Sequence, residues 1–388
     1  MDLIKRQILG EANLLASQFR AISIIGPRQS GKTTLSKWVF GEKPYVNFEL
    51  PSIQNEAEAD MGAFLKKYSK GAILDEVQRV PDIFRHLQVM LDNNKSRGQF
   101  ILTGSNNFLL QEHLSQSLAG RIGYLQLLPL SYGELLGAGL ATDNIYKQML
   151  SGGYPEIWDQ KLLPDKWMSA YVQTYVERDV RLLRNISNLG SFVRFLMICA
   201  NYAGQLINRD EMARNIGVDT KTIQAWLGIL ESSFIIFLLQ PWYGNLNKRI
   251  IKSPKLYFYD TGLLCHLLGI STQSALQKHP LYGSIFENWI ITEIKKNRYN
   301  EGINERFYFF RDSAGNEVDV IMEKQGLPVA VEIKAGKKIQ PAMLGGLRYW
   351  LKNNPGPSNH GILIYGGKSP VSFSEQMQAI SWETVSDV

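Results

Sequence analysis

The chain has 388 residues, of which 45% are hydrophobic and 20% charged, and a formal net charge of +6. This composition is typical of a globular protein of two or three domains, and the mild positive charge permits contact with nucleic acid without demanding it. The sequence shows no leader and no apolar run of the roughly 18 residues that span a bilayer, so we expect a cytoplasmic protein with no membrane partner. The two cysteines, Cys199 and Cys265, exclude a disulfide framework and are predicted to lie in the core.

A glycine-rich loop lies between a predicted strand and a predicted helix near the amino terminus. The strand is the β-branched apolar run 21–25, which follows a predicted helix over about 3–19, and the next helix covers 34–40. The loop comprises Gly26, Pro27, Arg28, Gln29, Ser30, Gly31, Lys32, Thr33 and Thr34. Its glycines allow backbone N–H groups to point at a phosphate chain, and the helix N-terminus adds a favourable dipole. Strand, P-loop and helix together predict nucleotide binding.

Four side chains of this region have expected roles in the chemistry. Lys32 would reach the β- and γ-phosphates, and the Thr33 hydroxyl would ligate Mg²⁺. A buried strand over 71–76 ends in Asp75 and Glu76, which is the Walker B pattern when a P-loop precedes it. Asp75 would hold Mg²⁺ mostly through water, and Glu76 would polarise the attacking water. A short strand over 45–49 and helices over 57–68 and 83–93 complete the predicted surroundings.

Five motifs follow one another along the first third of the chain. They are the P-loop, Leu-Asp-Glu-Val-Gln-Arg-Val-Pro at 74–81, Leu-Thr-Gly-Ser-Asn at 102–106, Ser-Leu-Ala-Gly-Arg at 117–121 and Leu-Pro-Leu-Ser at 128–131. Together with Tyr-Val-Glu-Arg-Asp-Val at 175–180, Lys-Ser-Pro-Lys at 252–255 and Asp-Thr-Gly-Leu at 260–263, they resemble prokaryotic AAA+-like ATPases with a C-terminal domain of unassigned function. The resemblance covers nearly the whole chain and implies ATP and Mg²⁺ as cofactors.

Further catalytic candidates lie in the third and fourth of these motifs. The resemblance implies a polar sensor residue at the end of the strand over 99–106, and Asn106, Ser105 and Thr103 are its candidates. Arg121 is a candidate arginine finger, acting in cis or from a neighbouring subunit of a homo-oligomer. The alternative for Arg121 is a surface ion pair.

The middle of the chain is predicted to be helical over 145–200 and then to form a winged helix-turn-helix. The cluster 177–179, beside Tyr171 and Tyr175, is either a coupling surface that faces the nucleotide domain or an ion-pair network within its helix. Helices over 208–218 and 219–227 precede two predicted wing strands, 232–239 and 255–259. As a DNA reader, this unit would use Thr220, Lys221 and Gln224 in a groove, with Lys248, Arg249, Lys252 and Lys255 on phosphates. The alternative is a protein-packing module.

The last hundred residues are predicted to form a helix, three strands, a helix and a strand. The first helix is amphipathic, from about 281 to 297, and Asp319 and Glu332-Ile333-Lys334 lie on neighbouring strands. This arrangement resembles the PD-(D/E)xK nuclease superfamily, although no proline precedes Asp319. Asp319 and Glu332 would hold a Mg²⁺ or Mn²⁺ ion, Lys334 would orient water or stabilise charge, and Glu287 would add a ligand. The alternative is a nuclease fold that only binds partners, or a solvated set of charges.

We therefore expect an α/β protein with three parts. These are an AAA+-like P-loop domain with a parallel sheet over 1–140, a helical and winged-helix region over 141–275, and a restriction-endonuclease-like αβββαβ domain over 276–388. The main hypothesis is Mg²⁺-dependent ATP hydrolysis that controls C-terminal DNA-binding or nuclease-like modules. The alternatives are an ATP-gated, metal-dependent DNA nuclease and a non-catalytic, nucleotide-driven signalling or scaffold switch.

Overall fold

Five parallel strands form the sheet of the amino-terminal domain in the computed structural model. The structure describes residues 3–104, 118–175, 188–242, 253–303, 307–324, 326–354, 356 and 359–388. The strands are β1 (Ala21–Ile25), β2 (Tyr45–Asn47), β3 (Ala72–Asp75), β4 (Phe100–Thr103) and β5 (Ile122–Gln126), in the order β2-β3-β4-β1-β5. Every residue of β1, β3 and β4 is buried, as expected for parallel strands covered by helices on both faces. The predicted parallel sheet is confirmed.

Six helices of the amino-terminal domain lie within the described residues. They are α1 (Leu9–Gln18), α2 (Lys32–Val39), α3 (Pro51–Ala59), α4 (Met61–Lys66), α5 (Ile83–Asn93) and α6 (Tyr132–Gly137). The helix predicted over 57–68 is in fact two helices, because the Asp60 side chain accepts a hydrogen bond from the Ala63 backbone N–H and starts α4 anew. The first helix is also shorter than predicted, since it begins at Leu9.

The middle region contains helices and a strand hairpin. Its elements are α7 (Ile145–Ser151), α8 (Pro155–Asp159), α9 (Pro164–Tyr175), α10 (Leu189–Asn201), α11 (Arg209–Ile216), α12 (Thr220–Ser232), β6 (Ile236–Pro241), β7 (Lys255–Phe258), α13 (Thr261–Leu267) and α14 (Gln273–Lys278). Asn208 and Asp219 cap α11 and α12, and Gly217 between them has a φ of 80°, which favours glycine. The predicted helix pair and its turn are therefore present.

The C-terminal region is built around one long helix and a large sheet. Its elements are α15 (Tyr282–Asn300), β8 (Tyr308–Arg311), β9 (Glu317–Lys324), β10 (Leu327–Lys334), α16 (Gly345–Asn353), β11 (His360–Tyr365), β12 (Val371–Ser374) and β13 (Met377–Ser381), with 3₁₀ turns at Pro341–Leu344 and Trp382–Asp387. The order of helix, three strands, helix and strand agrees with the expectation, and a further hairpin follows it.

The hairpin expected to be a wing belongs to this C-terminal sheet. The strand order is β12-β13-β11-β10-β9-β8-β6-β7, and β6 pairs in parallel with β8 at Gln240 and Tyr308. One continuous sheet therefore crosses the boundary expected near residue 275. Strand β6 pairs with β7 over 236–239 and with β8 at 240–241, so it connects the hairpin to the C-terminal sheet.

Helix α15 is buried on most sides, which differs from the amphipathic helix that the sequence predicted. Three of its buried polar residues form hydrogen bonds with residues outside the helix. Asn288 bonds both the N–H and the carbonyl of Phe258, while Glu293 accepts the Tyr132 N–H at 2.6 Å and Lys296 donates to the Leu130 carbonyl at 3.0 Å. The helix thus joins the amino-terminal domain, the hairpin and the C-terminal sheet.

Candidate functional site

The P-loop forms the predicted strand-to-helix turn between β1 and α2. Gly26 has a φ of 154°, and a Cβ atom built there would lie 2.1 Å from the Leu127 carbonyl oxygen, so a side chain has no room. Gly31, immediately before α2, has a φ of 91°. Gln29 is held in the left-handed region at a φ of 61°, which is uncommon for a residue other than glycine. The loop is therefore shaped by its backbone, as phosphate binding requires.

Lys32 closes the loop on itself. Its Nζ atom donates to the carbonyl oxygens of Gly26 at 3.0 Å and Pro27 at 2.7 Å, and the residue is buried. A buried ammonium needs such acceptors, and phosphate oxygens are acceptors of the same kind with full negative charge. A nucleotide can therefore take over the bonds that the loop carbonyls make here.

Arg6 anchors the loop from a site far away in sequence. Its guanidinium donates to the Ser30 carbonyl at 2.8 Å, to the Leu128 carbonyl at 2.6 Å and to the Glu134 carboxylate at 2.8 Å, and both charged side chains are buried. Glu134 is itself fixed by a capping box with Ser131 at the start of α6. Sequence reasoning missed Arg6 because no local pattern distinguishes it from a surface arginine. The Ser131-x-x-Glu134 box was the only local signal of this anchor.

Asp75 is buried at the end of β3 and is surrounded by hydroxyl groups. Its Oδ2 accepts hydrogen bonds from Thr33 Oγ1 at 2.9 Å and from the Tyr45 hydroxyl at 2.6 Å, and its Oδ1 accepts one from Thr103. Burial raises the pKa of Tyr45 well above its ordinary value, and the hydrogen bond to Asp75 adds to this effect. Thr103, one of the three sensor candidates, thus contacts the Walker B aspartate. Thr33 and Asp75 lie together as the Mg²⁺ hypothesis requires.

Glu76 adopts a conformation that is unusual for its residue type. Its φ of 55° places it in the left-handed region, and Gln78 Nε2 donates to Glu76 Oε2 at 2.6 Å. Strained backbone of this kind clusters at functional sites, where surrounding structure holds a side chain in place. Gln78 is a second residue that the sequence did not single out, although it lies only two positions further along the chain.

The P-loop residues and Glu76 line one cavity of about 890 Å³. The opposite wall comes from the middle region, where Trp167, Tyr171 and Tyr175 of α9 face the cavity. The Trp167 and Tyr171 rings stack with centroids 5.2 Å apart and an interplanar angle of 16°. Tyr171 and Tyr175, which lie next to the predicted coupling surface, therefore face the P-loop. The charged cluster 177–179 lies outside the described residues.

Arg121 is not brought to this cavity. It precedes β5, whose first residue pairs with Ala21 at the start of β1, whereas the P-loop follows the end of β1. Five strand residues separate the two edges, which is about 16 Å. The Arg121 guanidinium instead donates to both carboxylate oxygens of Asp92, at 2.6 and 2.8 Å. The structure thus contains the surface ion pair that was the alternative for Arg121, and the arginine-finger role stays a prediction. Asn106 and Ser105 lie outside the described residues.

The four candidate residues of the nuclease-like site do come together. Lys334 Nζ lies 2.6 Å from Glu332 Oε1 and 3.3 Å from Asp319 Oδ2, and Asp319 also accepts the Ile333 N–H at 2.8 Å. Burial raises the pKa of Glu332 to about 8 and that of Glu287 to about 7. The spacing of two along β10 and the pairing of neighbouring strands explain why these side chains lie on one face.

Lys255 is the residue whose predicted place was wrong. It was expected on DNA phosphates, but it is 3% exposed and its Nζ lies inside the same cluster, 2.5 Å from Glu317 Oε1 and 3.3 Å from Glu287 Oε1. The pairing of β6 with β8 carries Lys255 there, which local sequence could not indicate. Thr220, Lys221 and Gln224 are exposed, as a groove reader needs. Lys248, Arg249 and Lys252 lie outside the described residues.

Two surveys of the described residues bear on ligands and location. No group of three or more His, Cys, Asp and Glu side chains in these ranges is arranged to hold a metal ion. A P-loop Mg²⁺ site does not depend on such a group, because one threonine, one aspartate, water and the nucleotide complete it. Among the same residues, no helix combines the length and apolar character needed to cross a membrane.

Three family models match consecutive parts of the chain. Residues 18–136 match a family described as an AAA domain. Residues 142–274 and 282–385 match two families described as domains of unknown function, DUF8612 and DUF4143. The first match covers the P-loop, Asp75 and Glu76, so the sheet domain with the cavity is an AAA domain.

Relatives and solved structures resemble the chain to different degrees. An uncharacterized protein of Mycobacterium tuberculosis is 32% identical over 316 residues, which cover 81% of this chain and 70% of the relative. An uncharacterized protein of Methanocaldococcus jannaschii is 24% identical over 87% of this chain and 79% of its own length. The Walker-type ATPase of Pyrococcus abyssi has 15% identity and a TM-score of 0.44, over 67% of this chain and 94% of that one.

The mycobacterial relative shares both the AAA domain and most of the regions that follow it. Its identity and coverage exceed what a shared nucleotide-binding domain alone would give, since the AAA match ends at residue 136. The chain therefore belongs to the same family as this mycobacterial protein, as an AAA-like P-loop ATPase that carries domains of unknown function after its nucleotide-binding domain.

Proposed function

We propose that this chain hydrolyses ATP in the P-loop cavity and that bound nucleotide controls the position of the C-terminal regions. One observation carries the proposal. The P-loop, the Walker B residue Glu76 and the aromatic face of α9 line a single cavity, so a nucleotide held there touches the AAA domain and the middle region at once. Thr33 also lines this cavity, and its hydroxyl donates to Asp75 at 2.9 Å.

The chemistry follows from the side chains around the phosphates. Lys32 exchanges the loop carbonyls for oxygens of the β- and γ-phosphates, and Thr33 with Asp75 would hold Mg²⁺. When bound, Mg²⁺ neutralises charge on the phosphate oxygens. Glu76 polarises a water whose oxygen bonds to the γ-phosphorus while the bond to the β-phosphate oxygen breaks, which yields ADP and inorganic phosphate. Gln78 keeps the Glu76 carboxylate in place through its 2.6 Å hydrogen bond.

A neighbouring hollow of about 390 Å³ supports a purine base beside the phosphates. It shares Gln29, Gly31 and Thr34 with the P-loop, and its apolar lining includes Trp38 and Pro155. Flat apolar surfaces of this kind suit an aromatic base. Since Pro155 begins α8, base and phosphates would both contact the middle region.

Control of the C-terminal regions has a physical basis in α15. In this helix, Glu293 accepts the Tyr132 N–H and Lys296 donates to the Leu130 carbonyl, both of which belong to the AAA domain. Asn288 of the same helix accepts the N–H of Phe258 in β7. A shift of the middle region on nucleotide binding would therefore act on a helix that already joins all three parts.

The decisive experiment is ATP turnover of the full chain with and without Lys32→Ala. We expect turnover to fall at least about 100-fold, because the phosphates lose their buried cation. Lys70→Ala is the matched control, since Lys70 is exposed and lies before β3 at the opposite edge of the sheet. Amide exchange of residues 164–175 should slow when ATP binds to the wild-type chain. Normal turnover in Lys32→Ala would refute the proposal.

DNA binding is a second candidate function, and the exposed start of α12 favours it. Lys221 and Gln224 face solvent on the helix that follows the Gly217 turn, while Asp219 fixes its first turn. A helix-turn-helix reads bases with this part of its second helix. We expect Lys221→Ala to weaken binding of duplex DNA several-fold and to reduce its salt dependence, measured by fluorescence anisotropy. No binding by the wild-type chain would leave α11 and α12 as a packing unit.

A further inference from the structure

We propose that the ammonium of Lys255 is the permanent internal cation of the C-terminal carboxylate cluster, and that the cluster fastens the β6–β7 hairpin instead of binding a divalent metal. The carboxylate cluster comprises Glu287, Glu317, Asp319 and Glu332. This inference goes beyond the proposed ATPase function and does not depend on it.

The position of the ammonium carries the argument. Lys255 Nζ lies 2.5 Å from Glu317 Oε1, 3.3 Å from Glu287 Oε1 and 3.9 Å from Asp319 Oδ1. These three carboxylates come from α15 and β9, so two elements converge on a single nitrogen. A metal shared by Glu287 and Asp319 would need the space that this ammonium fills, and two cations a few ångströms apart in a buried site repel strongly.

Two of the remaining carboxylate oxygens share the ammonium of Lys334. Asp319 Oδ2 accepts the Ile333 N–H and lies 3.3 Å from Lys334 Nζ, while Glu332 Oε1 lies 2.6 Å from the same ammonium. Glu332 Oε2 is buried beside α16, where a Cβ atom built on Gly346 would lie 3.0 Å away, and it has no hydrogen-bond partner among the described residues. The ammonium groups of Lys255 and Lys334 therefore occupy the positions beside Asp319 that a metal would need, and the survey of the described residues finds no group of three or more ligands arranged for a metal ion.

The same contacts explain what the cluster does. Lys255 and Tyr257 are two apart on β7 and point to one face, and the Tyr257 hydroxyl donates to Glu287 Oε1 at 2.5 Å. Both side chains of the hairpin thus hold α15, and Lys255 also reaches β9. Lys255 and Asp319 are nearly fully buried, so loss of the ammonium leaves the buried carboxylates with one counter-charge fewer. The cluster joins the middle region to the C-terminal sheet by charge.

The first test measures binding of Mn²⁺ to the full chain by electron paramagnetic resonance, without nucleotide. Asp75→Asn is used so that the P-loop cannot contribute, while the carboxylate cluster stays intact. We expect no Mn²⁺ bound per chain at micromolar concentrations of free metal. One Mn²⁺ bound per chain in Asp75→Asn, and lost when Asp319→Asn is added, would overturn the proposal.

The second test measures the thermal midpoint of unfolding. Lys255→Met removes the ammonium and keeps much of the side-chain volume, so we expect the midpoint to fall by at least about 4 °C. Lys278→Met, at an exposed lysine on α14, is the control and should change it by less than about 1 °C. An unchanged midpoint in Lys255→Met would overturn the proposal. If that variant does not fold, Glu317→Gln tests the 2.5 Å pair in a chain that keeps Lys255, and an unchanged midpoint has the same meaning.

Discussion

The P-loop edge and the C-terminal carboxylate cluster use the same residue types in opposite ways. Each has an acidic side chain on a buried strand and a lysine near it. Around Asp75 the hydrogen-bond donors are the neutral hydroxyls of Thr33, Tyr45 and Thr103, beside an open cavity. Around Asp319 the nearby donors include two ammonium groups, that of the buried Lys255 and that of the partly exposed Lys334.

This contrast shows how the same residue types can serve two purposes. Neutral hydroxyls can rotate and give way to a cation, because they carry no charge that must stay paired. Removal of a buried ammonium leaves its carboxylates short of a counter-charge, which strongly lowers the free energy of unfolding. The motif alone does not distinguish a reactive carboxylate from a structural one. The hydrogen-bond and ion-pair partners that the tertiary structure supplies distinguish the two.

The largest difference should come from neutralising the corresponding aspartate in each of the two sites. Asp75→Asn removes the charge that would hold Mg²⁺ at the P-loop, so we expect ATP turnover to fall about 100-fold or more. Asp319→Asn should leave turnover within about twofold, since Asp319 belongs to an ion-pair cluster far from the phosphates. Steady-state phosphate release compares the two variants. Equal losses would mean that both sites serve catalysis, and the contrast drawn here would be wrong.

An intermediate effect should appear in the pH dependence of stability. Burial raises the folded-state pKa of Glu287 to about 7 and of Glu332 to about 8. Between about pH 5 and pH 8 the folded chain therefore binds more protons at these carboxyls than the unfolded chain does, so the free energy of unfolding falls as pH rises. We expect this decline to be continuous from pH 5 to pH 8, measured by urea denaturation.

The charged and titratable groups around these carboxyls determine which variant serves as the control for that measurement. Asp319 and Lys334 face Glu332, while Lys255, Tyr257 and Asp319 face Glu287. Glu332→Gln stays neutral at every pH, so its stability should decline less steeply from pH 5 to pH 8 than that of the wild-type chain. An identical slope in the variant would show that Glu332 does not titrate in this range.

The smallest effect should come from Tyr45→Phe. This change removes one neutral hydroxyl from Asp75 Oδ2 and leaves Thr33 in place. We expect the Mg²⁺ concentration for half-maximal turnover to change by about two- to fivefold, while the maximal rate stays within about twofold, because one neutral hydrogen bond contributes about 1 kcal/mol. Lys37→Ala removes the ammonium that lies over the Tyr45 ring and serves as the comparison. A large loss of maximal rate in Tyr45→Phe would place the hydroxyl in the chemical step.

Features that depend on neighbours in the chain could be predicted from the sequence. The P-loop, the Walker B pair, the helix-turn-helix caps and the order of C-terminal elements all follow from spacing, glycine positions and alternation over a few residues. Asp319, Glu332 and Lys334 were located for the same reason, since the alternation of β10 and its pairing with β9 set one common face.

The residues that complete each site depend on contacts between elements that are distant in the chain. Arg6 reaches Glu134 across 128 positions, and Lys255 reaches Glu317 because β6 joins the C-terminal sheet. The α9 aromatic wall and the Asp92 partner of Arg121 likewise come from elements distant in the chain. Such contacts arise from packing of whole faces, and no local periodicity records which faces will meet.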